Sequence, residues 1–188
     1  MGNVTTAESY SPALTAGYYA HATTAGYYAN AATTGFNAHA TTTGDDAPAT
    51  TTGNFSHALT AGDDARATTT GRIAHALTAG DSAYATTSGN YARATTSGNY
   101  AHATTAGNHA HATTAGASAR ASVSGANSIA VAVGYNSYAR AADGGFIVLA
   151  QYDGDTVVAV KTAQVGRDGI KPDTWYKLSP TGEFVEAE

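Results

Sequence analysis

Across residues 12–137 small and large side chains alternate in a nine-residue cycle whose register never slips. Take residues 21–29 as the standard unit. Position two is then Ala in every unit, position four is Thr except at Val123 and Ala132, position six is Gly, and position nine is Ala or Ser. Positions one and three carry longer or more varied residues, such as His21, Arg66 and Tyr84 at one and Thr23 and Leu59 at three. Period-two alternation predicts a strand with positions two and four on a packed face and one and three in solvent. A glycine every nine residues and paired threonines both weaken the helical alternative. Glycine followed by pairs such as Asp45-Asp46 or Tyr135-Asn136 predicts a turn after each strand.

A doubled period overlies the first. His21, His39, His57 and His75 lie eighteen residues apart, with Asn30, Pro48, Arg66 and Tyr84 between them, and Leu59 and Leu77 share the same spacing. One unit is a strand and a corner and cannot close a coil; two can. The prediction is an all-β fold, a parallel β-solenoid or β-roll. Fourteen units give about seven coils and a rod about 34 Å long at roughly 4.8 Å per stacked strand. Its core of Ala and Thr is thin, so burial contributes little per residue, and hydrogen bonds between coils carry much of the order.

Residues 1–11 fit the cycle poorly and read as a lead-in or cap, with the solenoid over residues 12–142. Residues 143–188 change character. Strands are expected at residues 146–152 and 156–165, joined by the tight turn Asp153-Gly154, then at 174–178 and 183–186. This small antiparallel β-meander is a cap or assembly module that would cover the exposed edge of the last coil.

A formal net charge of −5 with 12% charged residues argues against a nucleic-acid partner, which would want a basic stripe. There is no cysteine, so neither disulfides nor thiolate metal sites arise. No stretch has the length and hydropathy of a membrane-spanning helix, so no membrane insertion is expected.

The stretch Gly125-Ala126-Asn127-Ser128-Ile129-Ala130-Val131-Ala132-Val133-Gly134-Tyr135-Asn136-Ser137 resembles the head repeats of trimeric autotransporter (YadA-type) adhesins. Their pattern is an Asn-Ser-apolar-Ala strand, then Gly, two turn residues and a small residue. The stretch 145–186 resembles the ends of fibre-like proteins of phages and prophages. These resemblances imply a homotrimeric fibre or adhesin on a virion or at the bacterial cell surface, without enzymatic activity, whose partner besides itself is a host surface receptor or glycan.

Candidate residues follow from the rows that the coils would stack. Tyr18, Tyr19, Tyr27, Tyr28, Phe36, Phe55, Tyr91 and Tyr100 fall on turns, where aromatic rings can contact a receptor or a neighbouring chain. Phe146, Val148, Trp175, Tyr176 and Phe184 are the assembly candidates: about forty residues cannot bury that much apolar surface alone. The acidic corners Asp45, Asp46, Asp63 and Asp64, with Asp81 in the same row, are candidate calcium ligands; otherwise no metal or cofactor is expected. The histidine row reads as a solvated ladder. Outward threonines such as Thr23, Thr41, Thr68, Thr86, Thr95, Thr104 and Thr113 raise ice binding as an alternative function, though Leu59 and Leu77 interrupt the row. A carbohydrate-binding module is a second alternative. No unique catalytic constellation stands out from the repeats.

Overall fold

The computed structural model describes residues 2–187. Its strands are β1 (Asn3–Thr6), β2 (Ala13–Ala16), β3 (His21–Thr24), β4 (Ala31–Thr34), β5 (His39–Thr42), β6 (Pro48–Thr52), β7 (His57–Thr60), β8 (Arg66–Thr70), β9 (His75–Thr78) and β10 (Tyr84–Thr87). There follow β11 (Arg93–Thr96), β12 (His102–Thr105), β13 (His111–Thr114), β14 (Arg120–Val123), β15 (Ile129–Ala132), β16 (Tyr138–Ala141), β17 (Phe146–Asp153), β18 (Thr156–Gln164), β19 (Trp175–Leu178) and β20 (Phe184–Ala187). Consecutive units alternate between two sheets. The odd strands from β1 to β17 form the first and the even strands from β2 to β16 the second, giving a parallel β-solenoid of about eight coils. The register repeats at eighteen residues, as in His21↔His39 and Ala22↔Ala40.

The alternation of each unit decides which face is buried. Position-two alanines from Ala13 to Ala139 and position-four threonines such as Thr24 and Thr60 are solvent-inaccessible, and position-nine alanines such as Ala20 and Ala29 close the core at the corners. At each corner the position-eight residue takes a left-handed backbone, fifteen times in succession from Tyr10 (φ 62°) to Asn136 (φ 50°). That turn aims its N–H along the rod. Tyr28 N donates to Asp45 O at 3.1 Å and Phe55 N to Arg72 O at 3.0 Å, so the corners continue the ladder from coil to coil. Glycine at position six has a packing cause: a Cβ on Gly62 would strike the carbonyl oxygen of Gly44 one coil earlier.

The same cause explains why the first coil is hard to see in the sequence. Residues 1–11 are not merely a lead-in, since Val4 pairs with Ala22 and Thr6 with Thr24, in register. Glu8 occupies the position-six slot there. Tyr10 has the same left-handed φ as every later corner, and among the described residues no coil lies beneath Glu8 to collide with a side chain. This unit adds half a coil, and β16, whose position-six slot holds Asp143, adds the other half, so the rod has about eight coils where the glycine count indicates seven.

The antiparallel strands after Asp143 form two hairpins, and each extends one sheet of the solenoid. β17 pairs in parallel with β15 and antiparallel with β18; β19 pairs antiparallel with β16 and β20. Ile147 succeeds Ala130 and Leu149 succeeds Ala132 in the inward rows. With Val165, Ile170 and Tyr176 they plug the end of the alanine core with larger side chains.

Candidate functional site

The rod offers two flat faces and two narrow edges, and the eight corner aromatics divide between the edges. Corners after odd strands hold Tyr27, Tyr28 and Tyr100; corners after even strands hold Tyr18, Tyr19, Phe36, Phe55 and Tyr91. On the second edge four of them touch in sequence. The Tyr18 ring lies 6.4 Å from Tyr19 and 5.4 Å from Phe36, and Phe36 lies 5.2 Å from Phe55. All four are exposed, Tyr18 by 68% and Phe55 by 38%. Tyr91 stands apart on that edge, stacked on His109 at 5.1 Å. On the opposite edge Tyr27 and Tyr28 meet edge-on at 4.3 Å, and Tyr28 stacks on Tyr10. Tyr100 joins neither cluster.

The acidic corners serve the backbone. Asp45 Oδ1 accepts the N–H of Asp63 at 3.0 Å, Asp63 Oδ1 that of Asp81 at 2.8 Å, and Asp81 Oδ1 that of Asn99 at 2.7 Å. Asn54, Asn90, Asn99 and Asn108 do the same at other corners. Among the described residues no group of three or more His, Cys, Asp or Glu converges as a ligand set, so Asp45, Asp46, Asp63 and Asp64 lack the oxygen-rich cage calcium takes. This side-chain ladder was not foreseen. Its signal was available: Asx recurs at position seven at eighteen-residue spacing.

On the first sheet His21, His39, His57 and His75 stack at 4.8, 4.8 and 4.9 Å. Partial burial, then neighbouring positive charge, lowers the pKa of His39, His57, His75 and His111; His102 on the other sheet behaves likewise beside Arg120. Leu59 and Leu77 also lie on the first sheet. The second sheet accordingly carries an unbroken outward row, Thr50, Thr68, Thr86 and Thr104.

The assembly candidates separate by burial. Phe146 is exposed and continues the outward row of Ile129; Val148 continues that of Val131. Val160, 57% exposed, lies beside Ala150 on the neighbouring strand and extends this apolar patch. Val157 and Val158 are also exposed on β18, the edge strand of the sheet. The sequence predicts a strand over residues 156–165, but nothing in its continuous apolar run marks these three valines as exposed. Trp175 is half-buried beneath the guanidinium groups of Arg120 and Arg140, and Phe184 packs against the core from its margin. Tyr176 is 2% exposed, and its hydroxyl accepts the Lys171 N–H at 2.9 Å, so it is part of the plug and offers no surface to a partner. No family model matches the chain, and neither a curated protein nor a solved structure does.

Proposed function

We propose that this chain is a non-enzymatic structural fibre or adhesin, part of a phage fibre or a bacterial surface protein, that presents a rigid rod for attachment and works as a homotrimer. The observation that carries the reading is the exposed aromatic strip Tyr18–Tyr19–Phe36–Phe55, held on one edge of a continuous hydrogen-bonded frame. Aromatic side chains supply large contact area at low entropic cost, and a preformed row avoids the ordering cost of binding. The apolar patch of Phe146, Val148 and Val160 supplies the self-association surface.

Fluorescently labelled full-length protein, incubated with a panel of bacterial cells, is expected to be retained on some of them. Tyr18→Ala with Phe36→Ala and Phe55→Ala should cut that retention at least about tenfold, since buried aromatic anchors dominate interfaces. Retention on no cell type, equal retention of the variant, or turnover of a small substrate would contradict the reading.

One observation favours a second reading. The unbroken threonine row of the second sheet, Thr50, Thr68, Thr86 and Thr104, supports an ice-binding reading. Arg66, Tyr84 and Arg120 occupy the same face beside it. Thermal hysteresis measured on the purified protein separates this reading from attachment.

A further inference from the structure

The second sheet carries a row that the function proposed above does not use. Its position-one residues run Pro48, Arg66, Tyr84, His102, Arg120, Tyr138 from coil to coil, and Trp175 and Lys177 of β19 continue the face. Cations and rings interleave at its C-terminal end. The Arg120 guanidinium lies 5.2 Å from the Tyr138 centroid and 5.5 Å from that of Trp175. Arg140 lies 4.7 Å from Trp175, and the Lys177 ammonium 5.8 Å from Tyr138. Arg140 Nε donates to Ser122 Oγ at 2.8 Å, which fixes the side chain over the indole. Arg66 repeats the motif over Tyr84 at 5.3 Å.

None of these cations forms an ion pair among the described residues. Among the described residues the one ion pair is Lys171–Glu186, and no Asp or Glu occupies position one or three of the even strands β2 to β16. Three positive groups around two rings repel one another unless an anion is shared between them. Arginine stacked face-on leaves its N–H edge free for bidentate pairing with a carboxylate or sulfate. Indole and phenol faces accept the apolar face of a sugar ring.

We propose that this face binds a linear anionic polysaccharide, with Arg120, Arg140 and Lys177 pairing its carboxylate or sulfate groups and Tyr138 and Trp175 stacking on its rings. These five residues cover two strand spacings, about 10 Å, and Arg66 over Tyr84 extends the same row to five spacings, about 24 Å, a length that suits a chain better than a single small molecule. Nucleic acid fits less well. A dense polyphosphate depends on a broad positive field, whereas the net charge is −5 and Asp46 and Asp64 border Arg66 on this side of the rod. The assignment stands apart from the attachment reading, because oligosaccharide binding is measured on the protein alone, without cells.

Trp175 is the only tryptophan of the chain, so its emission reports the site directly. Full-length protein is titrated with a galacturonate oligosaccharide, a heparin oligosaccharide, a neutral glucan oligosaccharide of equal length, and oligothymidylate. A saturable change in emission is expected with at least one anionic sugar and none with the neutral glucan. Arg120→Gln with Arg140→Gln should weaken that binding at least about tenfold, and Lys177→Gln, which leaves the Trp175 stacking in place, by a smaller factor. Arg93→Gln, on the other sheet, should leave it unchanged. The proposal is overturned by an equal response to neutral glucan, by unchanged affinity in both site variants, by oligothymidylate binding tighter than either sugar, or by no response to any probe.

Discussion

The position-four threonine is the least comfortable residue in most units. Thr42 donates its hydroxyl to Ala47 O at 3.1 Å, but the hydroxyls of Thr60, Thr78 and Thr96 are buried with no partner. An unmade hydrogen bond of that kind costs about 1–3 kcal/mol. Valine has the same shape without the polar atom, and Val123 already occupies this slot in β14. Thr60→Val should therefore raise stability by about 1 kcal/mol, read as a shift in the urea midpoint; an equal or lower midpoint would contradict this. A second strain lies at Ile73, a β-branched residue held at φ 58°. The left-handed conformation costs such a residue roughly 1–2 kcal/mol, while asparagine tolerates it. Ile73→Asn should stabilise the rod by about 1 kcal/mol in the same titration. Gly62→Ala should do the reverse by about 3 kcal/mol, because its Cβ meets backbone and not a movable side chain.

At the scale of the element, ladders decide the behaviour. Asp45, Asp63 and Asp81 hold the amides of the following coils, yet they stack like charges. Asn54 and Asn90 make the same bond without charge. Asp63→Asn should keep the bond and gain roughly 0.5 kcal/mol by relieving repulsion, whereas Asp63→Ala should lose the bond and destabilise. The histidine ladder sets a pH response. His39, His57, His75, His102 and His111 all have lowered pKa values. The unfolded chain therefore takes up protons first as pH falls. The stability they contribute is complete above the ordinary value of 6.5 and is lost as pH drops through the lower folded values. The melting temperature should fall as pH drops below about 6.5, and less steeply in His57→Gln. A flat profile would contradict the ladder's burial.

The coil itself was legible because its two periods come from geometry that side chains cannot evade: inward positions must be small, and Gly must sit where Gly44 O approaches Gly62. The β1 unit was not, because among the described residues no coil lies beneath Glu8 to impose glycine. Nor was the burial of Tyr176, since a tyrosine beside Trp175 reads as surface until β19 is seen to turn it beneath the last coil. The aromatic strip was legible only as a set of turn residues. Which of them touch depends on the alternation of odd and even corners between two edges.

For the whole molecule, the question is how a rod with an alanine core, ending in Phe146, Val148 and Val160 on an open face, is used. Burial of alanine contributes little, and an exposed hydrophobic edge strand such as β18 is a template for another chain. Cyclic association of three copies would bury both the patch and the edge. Removing the residues after Asp143 is a poor test, because it also removes Ile147, Leu149 and Tyr176 from the core plug. Charge placed on the outward patch leaves the plug intact. The decisive measurement is multi-angle light scattering of the full-length protein at micromolar concentration. A mass three times 18.8 kDa is predicted, falling to the single-chain mass in Phe146→Lys with Val160→Lys. A wild-type monomer, or a trimer that survives both substitutions, would contradict it.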